Sequence, residues 1–157
     1  MGIETRFYSL EAEQAVLGAV LLRSAILDDI ADILSPEAFY RPAHRLIFQA
    51  MLDLYQRREP VDLVTVTARL KDIGRLEDAG GPVFLAGLSE QVGIVGNAPH
   101  YARLVREKAR LRHFTDVLHK FLAMAHNGGL EDVDEYINRA EAEIYQAAHA
   151  EAGKGQP

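Results

Sequence analysis

The chain has no cysteine and no tryptophan, and long apolar runs are missing as well. Without cysteine there can be neither a disulfide framework nor a thiolate zinc site. The most apolar stretch, Ala15 to Leu22, has eight residues, whereas a membrane span requires about 20. This stretch lies too deep in the chain, and follows too little positive charge, to be a secretory signal peptide. These absences predict a cytoplasmic protein without disulfides or membrane contact.

The composition is that of a folded globular chain. Of the 157 residues, 48% are hydrophobic and 25% are charged, which is enough apolar material for a buried core and excludes wholesale disorder. The length allows one compact domain, or a small domain with an appendage, and excludes a large multidomain enzyme.

Charge is distributed unevenly along the chain. The net charge is -6, yet residues 103–126 carry 6 Lys+Arg and 2 Asp+Glu, whereas residues 127–157 carry 2 and 7. The negative total argues against a general nucleic-acid coat. A basic segment followed by an acidic one, with Asn127-Gly128-Gly129 between them, suggests two helices folded back with opposite charges facing. The alternative is two separately solvated faces, because exposed ion pairs contribute about 0–1 kcal/mol.

Helical periodicity dominates the chain and strand alternation is nearly absent. Ser9, Ser24 and Asp62 each precede a helical pattern and are predicted N-caps, and Glu11 and Glu13 suit the positive end of the first helix. Residues 64–67 have strand propensity, but no partner strand is visible, so we predict helix there. Long helical patterns run from 99 to 126 and from 133 to 147. The prediction is an all-α fold, in which a small globular domain of about six helices precedes an antiparallel helical hairpin.

No constellation for catalysis is found in the sequence. A phosphate-binding glycine-rich loop with Lys followed by Ser or Thr is missing, as is Gly-x-Ser-x-Gly, and no thiol nucleophile exists. His119 and His126 could share a helix face, but there is no His-Glu-x-x-His zinc motif, so surface or interface histidines are the simpler interpretation. We therefore predict no catalytic residues, no metal ligands and no cofactor-binding residues.

One face of the long helix is basic. Arg103, Arg106 and Arg110 recur at helical spacing and form a possible nucleic-acid or partner face. No stacking aromatic is interleaved with them, as single-strand binding would favour. A solvated or partner-facing helix is the default interpretation, and a nucleic-acid-binding module is the alternative function.

The predicted hairpin has more apolar side chains than one helix–helix contact can cover. They could pack on the globular part of the same chain, or on the hairpin of a second subunit in a two-fold arrangement. We predict the second, because the charge reversal between the arms suits an antiparallel bundle of two hairpins. The predicted subunit interface consists of Leu111, Phe114, Leu118, Phe121, Leu122, Val133, Ile137, Ile144 and Tyr145.

Several ordered blocks of the sequence carry a family resemblance that spans about residues 9–148. Together they resemble the N-terminal domain of the DnaB-type bacterial replicative DNA helicase, and neither of the two longest blocks contains reaction chemistry. The blocks are Ser9–Gly18, Phe39–Phe48, Pro60–Thr65, Gly80–Gly81 and Tyr101–Lys108.

The resemblance implies a noncatalytic assembly and docking domain. In this family the hairpins pair between subunits, six copies form a trimer of dimers, and the resulting collar is a platform for the C-terminal domain of primase and for helicase loaders. ATP binding and most contact with DNA belong to a C-terminal RecA-like motor domain, which these 157 residues do not include. The chain alone is therefore not expected to be an enzyme.

The predicted organisation has four segments. These are a flexible N-terminal arm at 1–8, a globular helical domain at 9–108, a hairpin for subunit association at 109–150, and the start of a flexible linker at 151–157.

Overall fold

A computed structural model describes residues 6–129 and 132–150, and within these ranges the chain is helical and contains no β-strand. The all-α prediction is confirmed. The predicted arm lies outside the described residues except for 6–8, and the predicted linker lies outside them completely. The α-helices are α1 (Leu10–Leu22), α2 (Ile26–Ile30), α3 (Pro42–Gln56), α4 (Leu63–Asp72), α5 (Gly81–Leu88), α6 (Ala98–Asn127) and α7 (Val133–His149), with short 3-10 helices at Pro36–Ala38, Ser89–Gln91 and Val95–Asn97.

Two of the three predicted caps form. The Ser9 hydroxyl accepts a hydrogen bond from the N–H of Ala12 at 3.2 Å, at the start of α1. Helix α2 differs from the prediction, because its N-cap position is Ala25 and no side chain bonds there. The short α2 is instead held by its buried apolar side chains.

Helix α4 begins with a reciprocal cap. The Asp62 carboxylate accepts from the N–H of Thr65 at 2.9 Å, and the Thr65 hydroxyl accepts from the N–H of Asp62 at 2.9 Å. This arrangement satisfies backbone donors that the first turn of a helix leaves free. Residues 64–67 are therefore helical, as predicted.

The core lies where α1 packs against α3, α5 and the first part of α6. Val16, Leu17, Ile47 and Phe48 are each completely buried there. Each of these side chains removes apolar surface from water, which is the main favourable contribution to folding. The front part of the chain therefore has a closed core of its own, and we call it the globular part (residues 9–108).

Helix α1 makes one close backbone contact through Gly18. A Cβ atom at this position would lie 2.4 Å from the carbonyl oxygen of Leu88 and 2.5 Å from Cγ2 of Val92. No side chain fits at such distances, so glycine is required for α1 to approach the end of α5.

A hairpin follows the globular part. Helix α6 has 30 residues, begins with the buried residues Ala98 and Ala102, and continues without interruption beyond the core. Gly128 and Gly129, with φ of +77° and +79°, reverse the chain into α7. The predicted boundary between residues 108 and 109 falls inside α6 and stays a prediction.

Among the described helices, none is both long and apolar enough to cross a membrane.

Candidate functional site

The hairpin has a narrow apolar seam between its two arms. Phe121 of α6 is only 4% exposed, and the ring of Tyr136 from α7 meets it edge-on with 6.0 Å between ring centroids. The Tyr136 hydroxyl donates to the carbonyl oxygen of Phe121. Ala147, near the end of α7, is the other nearly buried apolar residue among the described residues of the two arms, and it lies beside Leu111 and Phe114 of α6. This seam fixes which sides of α6 and α7 face one another.

An ion-pair cluster joins the arms beside this seam. The Glu143 carboxylate on α7 accepts from Nζ of Lys120 on α6 at 2.8 Å and from Nε of Arg139 at 3.2 Å. The hydrogen bond from Lys120, followed by that from Arg139, lowers the pKa of the Glu143 carboxyl. At this position the basic and acidic arms face each other, as the charge distribution predicted.

A second side of the hairpin is apolar and exposed. At about 100° per residue, Leu118 and Leu122 lie roughly 60–100° round α6 from Phe121, and Val133 and Ile137 lie roughly 40–80° round α7 from Ala147. Because the two helices are antiparallel, these rotations bring both stripes to the same side of the hairpin. We call this surface the hairpin face. Its residues are Leu111, Leu118, Leu122, Val133 and Ile137, whose exposed fractions are 37%, 41%, 55%, 62% and 45%.

Four other residues of the predicted interface are placed differently. Phe121 is buried between the two arms of its own hairpin, and its place in a subunit interface stays a prediction. Phe114 and Ile144 are half-buried, and Ile144 lies roughly 60° round α7 from Ala147, on the side of the hairpin face. Tyr145 is 65% exposed but lies roughly 160° round α7 from Ala147. It is therefore off the hairpin face, and its ring is tilted by 33° against that of His149, with 4.2 Å between the ring centroids.

The base of the hairpin contains an open groove between α6 and the end of α7. Its volume is about 320 Å³, and Leu111 and Phe114 on one arm and Ala147 and Ala148 on the other line it. Because Leu111 belongs to the groove and to the hairpin face, the groove continues the hairpin face toward the globular part.

The basic face predicted on α6 contains an acidic residue. Glu107 lies among the three arginines, 3.2 Å from Nη1 of Arg110 and 3.9 Å from Nε of Arg106. Arg103 is exposed. A nucleic-acid role for these arginines stays a prediction, and the Glu107 carboxylate reduces the positive charge that phosphates would meet. The described residues contain no group of three or more His, Asp or Glu side chains placed to hold a metal ion.

Sequence reasoning missed a buried polar cluster in the globular part. The Glu13 carboxylate, 1% exposed, accepts from the N–H of Tyr40 at 2.6 Å and lies 2.7 Å from Nδ1 of the buried His44. The sequence indicated Glu13 only as an acid near the start of α1. Its partners are about 30 residues away in the chain, and helical periodicity carries no signal for such a contact. The only pointer was that Glu13 and His44 lie in the two longest family blocks.

Arg112 makes a second group of long-range contacts that the sequence did not reveal. Its guanidinium donates to the carbonyl oxygens of Phe7 at 2.7 Å and Ala38 at 3.0 Å, and it lies 5.2 Å from the ring centroid of Tyr40. The ring of Tyr8 stacks on Tyr40, with 3.8 Å between centroids. Burial lowers the pKa of the Arg112 guanidinium, and the charge of Glu13 opposes this shift. Arg112 therefore holds the start of the chain against α6.

Similarity to known proteins extends over most of the chain. The sequence model of the family described as the DnaB-like helicase N-terminal domain matches residues 5–107. The replicative DNA helicase DnaB of Geobacillus stearothermophilus is 43% identical over 142 residues, and that of Mycobacterium leprae is 42% identical over 140 residues. These matches cover 89% and 88% of this chain but only 31% and 23% of those proteins. The chain thus spans a third or less of the length of the curated relatives it matches.

Solved structures agree with this assignment. The crystal structure of the N-terminal domain of DnaB helicase from Mycobacterium tuberculosis has a TM-score of 0.82 and 42% identity, and the match covers 88% of this chain and 96% of that one. A structure described as that of a DnaB-like replicative helicase and its interactions with primase has a TM-score of 0.72 at 24% identity, over 92% of this chain and 32% of that one, and supports the fold. The resemblance predicted from the sequence is confirmed, and the chain belongs to the DnaB-like helicase N-terminal domain family.

Proposed function

We propose that this chain is a noncatalytic assembly and docking domain of a replicative DNA helicase. It pairs with a second copy through the hairpin face and offers a platform for primase and for a helicase loader. The observation that carries the proposal is the hairpin face itself, five apolar side chains between 37% and 62% exposed on one side of two long helices.

Pairing would remove this surface from water. Each hairpin buries one seam, and two hairpins laid together by a two-fold axis would bury the exposed face in a four-helix arrangement. The opposite side of the hairpin has Lys120, Arg139 and Glu143 in ion pairs, so it can stay in solvent. This contrast between the two sides favours one pairing geometry over others.

The partner proteins follow from the family. The curated relatives are replicative DNA helicases, and one structural neighbour is described with its interactions with primase. For this chain we infer the same roles: dimers assembling as a trimer of dimers in a full-length hexamer, with primase and loader docking on the collar. Unwinding and ATP hydrolysis would belong to the part of such a helicase that this chain does not match.

Sedimentation equilibrium tests the pairing. The unchanged chain is expected to form a dimer or larger species in the micromolar range, and Leu118→Glu combined with Ile137→Glu is expected to give folded monomers. Val83→Glu is the matched control, because Val83 is 86% exposed on the globular part and its replacement should leave the mass unchanged. A monomeric unchanged chain, or dimers that survive the double substitution, would contradict the pairing.

Titration with the C-terminal domain of the cognate primase tests the platform. Calorimetry is expected to detect binding to the unchanged chain. Comparison with the double variant then shows whether primase needs the paired state. Failure of the primase domain to bind the dimeric chain would remove primase docking from the proposal and leave the pairing intact.

A further inference from the structure

The long helix α6 leaves the globular part within one turn. Ala102 and Val105 are buried in the core, and Ala109 is the last apolar residue of α6 that packs against it. One turn later, Arg112 makes polar contacts to the front of the chain. Arg112 lies nine residues before Phe121, which places it roughly opposite the seam with α7. At this level α6 passes from being supported by the core to being supported by α7.

A side chain of the same turn bonds back to the helix backbone. The Thr115 hydroxyl donates to the carbonyl oxygens of Leu111 at 2.9 Å and Arg112 at 3.0 Å. A threonine that bonds back to the preceding turn competes with the backbone hydrogen bonds of the helix and often bends it. Bends in long helices have such local causes, and here the cause coincides with the point where core support ends.

The start of the chain closes over this turn. Arg112 reaches the carbonyl oxygens of Phe7 and Ala38 and covers the ring of Tyr40, on which Tyr8 stacks. The N–H of Tyr40 is in turn held by the buried Glu13 carboxylate. The contacts of Arg112 therefore connect α6 both to the segment Arg6–Ser9 and to a fixed point of the globular part.

We propose that the turn Arg112–Thr115 of α6 is a hinge between the globular part and the hairpin, and that the segment Arg6–Ser9 is a strap that locks it through Arg112. With the strap in place, α6 continues without interruption past this turn and the hairpin has one orientation. With the strap released, Arg112 loses the Phe7 acceptor and keeps only that of Ala38, and α6 can bend at Thr115. The device acts within a single chain and does not depend on pairing of hairpins.

Distances within one chain test the hinge. The chain has no cysteine, so Asp72→Cys on α4 and His126→Cys near the far end of α6, both exposed positions, can carry two nitroxide labels. Double electron–electron resonance on labelled chain diluted in unlabelled chain reports the distance distribution between the globular part and the hairpin. Arg112→Met removes the donors and keeps an unbranched side chain. Arg110→Met, in the same helix and paired only at the surface with Glu107, is the matched control.

The expected result is an about twofold broader distribution in Arg112→Met, because α6 can then bend at Thr115. Arg110→Met should keep the original width. Adding Thr115→Val to Arg112→Met should narrow the distribution again, since valine has the shape of threonine without the hydroxyl. An unchanged width in Arg112→Met, or equal broadening in Arg110→Met, would overturn the proposal.

A second variant separates the strap from the folding of α6. Tyr8→Ala removes the stacking on Tyr40 without changing any residue of α6, and it is expected to broaden the distribution while circular dichroism shows unchanged helix content. If Arg112→Met loses helix content, the width of the distance distribution in Tyr8→Ala decides whether the segment Arg6–Ser9 locks the hinge. A folded Tyr8→Ala chain with the original width would show that the segment Arg6–Ser9 locks nothing.

Discussion

The globular part and the hairpin are built from the same kind of helix but hide their apolar side chains to different degrees. In the globular part, residues such as Leu17, Phe48 and Leu70 are completely buried. Among the described residues of the hairpin beyond 109, Phe121 and Ala147 are the only apolar residues that are nearly buried, while Leu122 and Val133 are more than half exposed. The first region is complete as a single chain, whereas the second presents surface that a partner can cover.

This difference indicates that the globular part provides the stability of the fold and that the hairpin face provides a surface for association. A closed core supplies stability without any partner, because hydrophobic stabilisation is proportional to the apolar area removed from water. An exposed apolar stripe on two packed helices supplies little stability until another surface covers it. Substitutions in the globular part should therefore act on folding, and substitutions on the hairpin face should act on association.

The largest expected effect comes from opening the core. Phe48→Ala should lower the free energy of unfolding by about 3–5 kcal/mol, because it removes a completely buried ring and leaves a cavity. Leu118→Ala changes a side chain that is 41% exposed, so at low protein concentration it should lower the free energy of unfolding far less than Phe48→Ala does. Its loss should be larger at high protein concentration, where a paired state adds stability. Urea unfolding followed by circular dichroism at two concentrations measures both. Equal losses for the two variants would erase the distinction between the regions.

The buried polar cluster should have the next largest effect. Glu13→Gln replaces by an amide the carboxyl group that bonds the N–H groups of Tyr40 and Arg41 and the ring of His44, and it should lower the free energy of unfolding by about 2–3 kcal/mol, because buried donors lose their carboxylate acceptor. Glu11→Gln is the matched control, since Glu11 is exposed in the same helical turn. The same urea experiment measures both variants. If the two substitutions cost the same, Glu13 acts only as an acid near the start of α1.

A smaller effect is expected from the cap of α4. Asp62→Ala should lower the free energy of unfolding by about 1 kcal/mol, and Asp62→Asn should lower it less, because asparagine also caps helices well. Thermal unfolding monitored by circular dichroism compares them. A full loss in Asp62→Asn would mean that the carboxylate charge matters more than the hydrogen bond to Thr65.

The smallest effect is expected in the ion pairs between the arms. Lys120 lowers the pKa of the Glu143 carboxyl, so the contribution of this pair to stability is complete above the carboxyl's ordinary pKa and is lost as the pH falls through the lowered value. NMR titration of Glu143 should show its pKa rise toward the ordinary value in Lys120→Met. Arg139→Met should raise it less, because Lys120 is the larger cause. No change in Lys120→Met would mean that the arms do not interact through this pair in solution.

Local signals made much of the fold predictable. Ser9 and Asp62 cap helices because their side chains bond to backbone groups three residues away, so the relevant information lies within one turn. The apolar stripes of α6 and α7 recur every three or four residues, and the glycine turn between them is a signal of adjacent residues. Both features can therefore be recognised over a short stretch of sequence. Ser24 shows the limit of such signals, because a suitable side chain before a helical pattern does not ensure that it bonds to the first turn.

Long-range contacts were beyond such reasoning. The bonds of Arg112 to Phe7 and Ala38 join residues 105 and 74 positions apart, and a basic run looks the same whether its arginines face solvent or carbonyl groups. The orientation of Tyr145 shows a similar limit. It has the spacing of an apolar stripe, but the rotation of α7 that Tyr136 and Ala147 set by packing on α6 turns it away from the hairpin face.

The contact at Gly18 has an evolutionary consequence. Because the Leu88 carbonyl oxygen would be only 2.4 Å from a Cβ atom there, this backbone contact excludes any residue other than glycine at position 18. The exclusion holds whatever the chain binds. A glycine preserved at this site in related sequences therefore records the distance between two backbones and carries no information about partners, which must be sought at positions where several side chains would fit.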